Sequence, residues 1–297
     1  MTSAPIKPKQ YFVGLVLISF GAILLGASAI FVRLSSVSPT STAFFRALLA
    51  IPFLLIWFKF TKSSASINPS ILKSLALCGL FFALDMGVWN WSIFFTSVAH
   101  SALLANMAPI FVTLIGVFYF KDKVSKAFLK CLLTAIIGVF IVIKSGSGGS
   151  DARLFGDFLG ILTALFYAGY IIYVKKLTGI ISPIEVLLFS TIFTSLFLFP
   201  IAILEPGKFI PSNSEEWSLL LCYALVSQTI AQGLITIGIA KLSAHFSSLV
   251  LLIQPVATAL FGWFLLEESL YISQILGGML VLLAIYLASK VENSNPN

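Results

Sequence analysis

Charge is what this sequence has least of. Only 10% of its 297 residues are Asp, Glu, Lys or Arg, against about 25% in a soluble domain. Histidine occurs twice and cysteine three times. Neither histidine has a cysteine or second histidine at ligand spacing, so a metal site has no support. Cys78, Cys131 and Cys222 are far apart in apolar runs, which fits neither a metal set nor a disulfide framework. They read as small core-filling residues. There is no GxxxxGKS, GxSxG or GxGxxG, so a self-contained nucleotide-driven pump, a serine hydrolase and a dinucleotide enzyme are not signalled. No catalytic residue, cofactor or metal is expected. The net charge of +7 comes without a Lys/Arg-rich helix or an aromatic-interleaved basic patch, so nucleic acid is not an expected partner.

What the chain has instead is apolar length. Some 59% of it is apolar, 28 residues are Phe, and the mean hydropathy is +1.05. Ten apolar runs cover residues 12–32, 40–58, 71–95, 99–120, 127–144, 154–174, 184–204, 216–237, 243–265 and 271–289. Each is near the ~20 residues that cross a bilayer as helix. They are continuously apolar rather than alternating, which argues against a barrel. The expected fold is an all-α integral membrane protein of ten transmembrane helices. The mildly basic start, MTSAPIKPKQ, leads into a run too long for a signal peptide and reads as the lead-in to an uncleaved first helix. The connections are short turn or loop text with no room for an extramembrane domain.

The basic residues orient the chain. With the N-terminus inside, Arg33, Lys144, Arg153 and Lys208 fall outside, Arg46 lies within a run, and the other thirteen of 18 fall inside. That bias predicts both termini in the cytoplasm and an even number of spans. A repeat is also present. AHSALLANMAPIFVTLIGVFYFKDK from Ala99 aligns with AHFSSLVLLIQPVATALFGWFLLEES from Ala244, bringing Pro109 over Pro255 and Lys121–Asp122 over Glu267–Glu268. Ser38–Pro39 likewise matches Ser182–Pro183. The offset of about 145 makes the unit five helices, giving halves of 11–145 and 153–290. Because five is odd, the second half is expected to be inverted relative to the first. Inverted repeats place a substrate site at the midplane where the halves meet.

The candidate site is drawn from polar groups set deep in these runs. Asp85 lies about 20 Å along its span at 1.5 Å per residue. A carboxylate there is expensive unless it meets a partner or a watery cavity. It could hold a cationic amine, carry a coupling proton, or pair with Arg46 and fix packing. Arg46 could snorkel to the surface or grip a substrate carboxylate. Trp89 shares a helical face with Asp85, so it is placed in the cavity wall and Trp91 outside it as a packing anchor. Asn90 could rim the site or bond another helix. Asn106 and Met107 precede Pro109, and Gln254 precedes Pro255, where prolines are expected to kink the helices and free carbonyls. Gln228 and Gln232, at i,i+4, are expected to share one polar edge that either contacts substrate or joins helices. Tyr167 and Tyr170 are candidate aromatic walls. Gly14, Gly21 and Gly26 read as close-packing positions, and His100 and His245 as capping or interface residues.

At FFRALLAIPF around Arg46, WNWSIFFTSVAHSALLANMAPIFV across the third and fourth runs, and SAHFSSLVLLIQPVATALFGWFLLEE in the second half, the chain resembles the drug/metabolite transporter superfamily. More narrowly, it is similar to the ten-helix proteins with two EamA-type domains. The resemblance spans about residues 11–290. It implies an inner-membrane carrier with a central cavity, cytoplasmic termini and, often, export of amino acids or other small metabolites. The chain departs at Lys121–Asp122, where relatives carry Gly-Glu, and at Asn90, where relatives often carry His. Asn cannot titrate near neutrality as His can.

The expected function is secondary transport of a small organic metabolite, an amino acid or related zwitterion, by alternating access within the bilayer. Protons are a candidate coupling partner. Alternatives are a carrier of nucleoside-like or other metabolites, or a non-transporting sensor or structural subunit. An intramembrane enzyme would need ionisable groups converging at one depth, and only Asp85 and Arg46 lie deep.

Overall fold

A backbone in hydrocarbon must satisfy its N–H and C=O groups within its own segment, so apolar runs of this length coil. The computed structural model describes residues 8–61, 67–95, 101, 104–144, 153–266 and 271–294. His100, Glu267, Glu268 and the Gly-Ser run 145–150 lie outside the described residues. The elements are α1 (Pro8–Gly26), α2 (Ser28–Leu34), α3 (Pro39–Lys59), α4 (Pro69–Phe95), α5 (Ala108–Phe118), α6 (Lys126–Lys144) and α7 (Arg153–Leu177). Then follow α8 (Pro183–Leu204), α9 (Ser214–Tyr223), a π-helical segment (Ala224–Ala231), α10 (Gln232–Lys241), α11 (Ala244–Val250), α12 (Ile253–Leu266) and α13 (Ile272–Ser294). Among the described residues, eight helical stretches are long and apolar enough to cross a membrane. The fourth run is represented by the 11-residue α5 and the fifth by the 19-residue α6, which has Lys at both ends. The whole is an all-α, multi-span membrane fold of about ten helices in two halves.

Polarity in this bundle is distributed as a bilayer requires. Phe12, Phe118, Leu154, Leu204 and Met279 stand on the outer surface, while Ser41, Ser190, Thr191, Gln228, Gln232 and Thr236 are buried between helices. Cys78 and Cys131 are buried as expected, but Cys222 is exposed on the apolar surface and fills no core.

The most extensive contacts between the halves are α4 with α7, α6 with α13, α3 with α8 and α1 with α10. Exchanging the two halves maps this set onto itself, the first run trading places with the sixth and the third with the eighth. Glycines allow the closest of these approaches. A Cβ on Gly21 of α1 would come within 2.8 Å of the Ala231 carbonyl oxygen. The Tyr11 hydroxyl donates to the Ser289 carbonyl at 3.2 Å, so the start of α1 and the end of α13 lie at one end of the bundle. At the opposite end, α3 receives its N-terminal cap from the other half. Glu205 Oε2, after α8, accepts from Thr40 N–H at 2.9 Å and Ser38 Oγ at 2.6 Å. The matching Ser182 of α8 caps locally, in a capping box with Glu185.

Among the described residues, four runs depart from regular α-helix. The first breaks at Ala27, the fourth at Asn106–Met107 and the ninth at Leu251–Leu252, and the eighth contains the π-helical segment. The fourth and ninth breaks occupy corresponding positions of the repeat, each just before its proline. Irregular backbone at membrane depth is tolerated where it is packed in protein or lines a cavity.

Candidate functional site

The breaks meet around a cavity of about 80 Å³, taken as the space open to the centres of water-sized molecules. One water needs roughly 10–15 Å³ on this measure, so the cavity suits several waters or a small polar molecule. Leu25, Ser28 and Ala29 enter it from the first break, Ala105, Asn106 and Pro109 from the fourth run, and Leu251, Leu252, Gln254 and Thr258 from the ninth. Other helices supply most of the remaining polar and aromatic wall. These are Arg46 from α3, Phe82, Asp85 and Trp89 from α4, Thr163 and Tyr167 from α7, and Gln232 from α10.

Arg46 and Asp85 therefore share one cavity. Among the described residues no ion pair of 4.0 Å or less joins them. Arg46 is 5% exposed and held by neutral groups. Its Nε donates to Gln228 Oε1 at 3.0 Å and Nη1 to the Tyr223 hydroxyl at 3.2 Å. Its Cζ lies 5.2 Å from the Tyr223 ring centroid and 5.7 Å from that of Phe82, distances at which a ring attracts a cation. The Tyr167 hydroxyl and the Gln232 amide are further polar groups of the wall. Gln232 Nε2 is engaged with the Tyr170 hydroxyl at 3.1 Å.

Other residues singled out in the sequence fall outside the lining. Asn90 is buried and donates to the Pro39 carbonyl at 2.6 Å, tying α4 to the start of α3. Trp91 stands at the outer surface, its indole N–H donating to Thr40 Oγ1 at 3.1 Å. Tyr170 stacks on Phe82 at 4.3 Å behind the wall. Gln228 reaches Arg46 and Thr191, while Gln232 reaches Tyr170 and the cavity, so they share no single edge. Gln228 lies in the π-helical segment, which ends just before Gln232. Met107 and Pro255 sit beside the lining rather than in it. His245 sits at the terminal end of the bundle, 3.1 Å from Asp122.

Sequence reasoning passed over Ser28, Phe82, Thr163, Ser248 and Thr258, all of which line the cavity. A signal existed for two of them. Thr163 is one turn from Tyr167 and Thr258 one turn from Gln254, on the same helical faces. Thr258 Oγ1 lies 3.0 Å from both the Gly26 and the Gln254 carbonyl oxygens, bridging the first and ninth breaks.

The chain is 25% identical over 249 residues to the pseudopaline exporter CntI of Pseudomonas aeruginosa, covering 84% of this chain and 85% of that protein. It is 22% identical over 288 residues to an uncharacterized transporter of Archaeoglobus fulgidus, covering 94% and 98%. A solved crystal structure superposes with a TM-score of 0.76 at 15% identity, covering 93% of this chain and 96% of that one, which shows a common fold. The model of the EamA-like transporter family matches twice, at residues 12–144 and 154–290. With the broken helices paired around a polar cavity and both halves matched, the chain belongs to the EamA-like transporter family, as a secondary transporter of small metabolites.

Proposed function

We propose that the protein carries an amino acid or related zwitterion across the cell inner membrane by alternating access, as an exporter or exchanger. One observation carries this reading: Arg46 and Asp85 line the same cavity without being paired to each other. A zwitterion supplies the two missing partners at once, its carboxylate to the guanidinium and its ammonium to the carboxylate. The aromatic wall of Phe82, Trp89 and Tyr167 bounds the side chain. Alternating access follows from the five-helix repeat, with the halves inverted, both termini cytoplasmic and the cavity between them. The exchange symmetry of the contacts and the paired breaks before Pro109 and Pro255 support it. An export direction is favoured by the pseudopaline exporter among the relatives.

Uptake of radiolabelled amino acids into proteoliposomes, with nucleosides as the rival panel, tests the substrate class. The expected result is saturable flux of at least one amino acid and none of the nucleosides. Folded protein that moves only nucleosides, or nothing, would sink the proposal. Asp85→Asn is expected to lower amino-acid flux by at least ten-fold and to flatten its response to an imposed pH gradient. Survival of both would assign Asp85 to packing.

A further inference from the structure

Gln228 lies outside the cavity and is fully buried, yet it grips the cation that lines it. Its amide bridges two helices. Oε1 accepts from Arg46 Nε at 3.0 Å, and Nε2 donates to Thr191 Oγ1 on α8 at 3.0 Å. The opposite amide orientation would set N–H against N–H at Arg46, so chemistry fixes which end faces the guanidinium. Tyr223, one turn earlier, takes a second guanidinium hydrogen and lays its ring beside Cζ. Ser227, next to Gln228, accepts from Ser28 Oγ at 3.0 Å and so links the same segment to the cavity wall at the first helix break.

Every one of these partners is neutral. A guanidinium has five N–H donors, and the two bonds to Gln228 and Tyr223 leave three of them, one on Nη1 and both on Nη2, for the cavity. These partners do not neutralise the cation, and Asp85 on the same wall lies beyond ion-pair distance, so the planar fork is open to a carboxylate. Had position 228 been Glu, the charge would be neutralised inside the wall. The side chain at 228 runs to α3 and α8, while Gln232 lines the cavity.

We infer that Gln228 is a positioning residue that holds Arg46 aimed and without an internal ion pair, making the cavity a receptor for carboxylate-bearing substrates. The inference rests on the zwitterion reading above and adds its selective element: recognition of the carboxylate depends on a neutral residue at 228.

The test is Gln228→Glu, which is nearly isosteric and pairs Arg46 internally. Reconstituted protein is assayed with matched pairs, each an amino acid and its decarboxylated amine, such as phenylalanine with phenethylamine. The expected result is a KM for the amino acid raised at least ten-fold while the amine is moved as well as before or better, so that the selectivity ratio falls at least ten-fold. Thr191→Val, which frees the far end of the amide without adding charge, is expected to lower the same ratio about two- to five-fold. It also serves if the Glu variant does not fold. A wild type that carries carboxylate substrates, beside variants with its unchanged ratio, overturns the role of Gln228 alone. A wild type that moves amines but no amino acid overturns the zwitterion reading and this inference with it.

Discussion

His245 Nε2 and Asp122 Oδ2 lie 3.1 Å apart and join the two halves at the end of the bundle that carries both termini. Gly116 makes room for the pair, since a Cβ there would come within 2.8 Å of the His245 nitrogen and 3.1 Å of the Asp122 oxygen. Beside it, Tyr11 of α1 stacks on Phe246 at 5.7 Å. Together these contacts close the terminal end of the seam between α5 and α11. The Asp122 side chain is half exposed, and a hydrogen bond there contributes about 1 kcal/mol. A contact of that size is weak enough to open and close reversibly.

Asp122→Ala should increase opening at that end by up to about five-fold, the equivalent of 1 kcal/mol. The measurement is alkylation of a cysteine placed at cavity position 248 (S248C), with Cys78, Cys131 and Cys222 replaced. A membrane-impermeant reagent is applied from the terminal side. An alkylation rate equal to that of the parent would remove the pair from the closure.

Glu205 holds the opposite end. Its Oε2 accepts from the N-terminal backbone of α3 and from Ser38, across the boundary between the halves. Four N–H groups at a helix start have no partner in the helix, and a carboxylate there also meets the positive end of the dipole. Glu205→Ala should cost about 1–2 kcal/mol and lower the thermal midpoint in detergent by about 2–8 °C. Glu205→Gln keeps an acceptor without the charge and should lose roughly half as much. An Ala variant as stable as wild type would mean that water caps α3 equally well.

These two contacts show where sequence was legible and where it was not. The ten runs, the repeat and the glycine-bearing faces could be read because they depend on composition and period, which act along the chain. Ser38–Pro39 and Ser182–Pro183 looked equivalent for the same reason. Yet Ser182 caps its own helix, while Ser38 leans on Glu205, 167 positions away. The site divided in the same way. Asp85, Trp89, Arg46 and Gln254 reach the cavity because depth and face are local properties. Asn90 looked like a site residue by its neighbours, but its partner is the Pro39 carbonyl on another helix. Gln228 could be read only as contacting substrate or joining helices, and it joins them, because its partners Arg46 and Thr191 lie on helices distant in sequence.

Pro109 and Pro255 are the last elements with a consequence that can be measured. Pro109 sits in the first turn of α5, directly after the break at Asn106–Met107. In that position a proline costs nothing, because the missing N–H has no helical partner to lose. Were the fourth run one continuous helix, the same proline would cost about 3 kcal/mol. It therefore biases the segment toward the broken form by about that amount, and the break is what brings Ala105 and Asn106 to the cavity wall. Alanine at 109 removes the bias and lets the residue-109 N–H return to the Ala105 carbonyl. Hydrogen exchange over 104–112 should slow in Pro109→Ala. Turnover should fall about ten-fold for each 1.4 kcal/mol by which the continuous form gains. Changing both Pro109 and Pro255 should slow it further, because the two breaks occupy equivalent places in the halves. Exchange that slows while transport holds at the wild-type rate would show that the break shapes the empty cavity but plays no part in its motion.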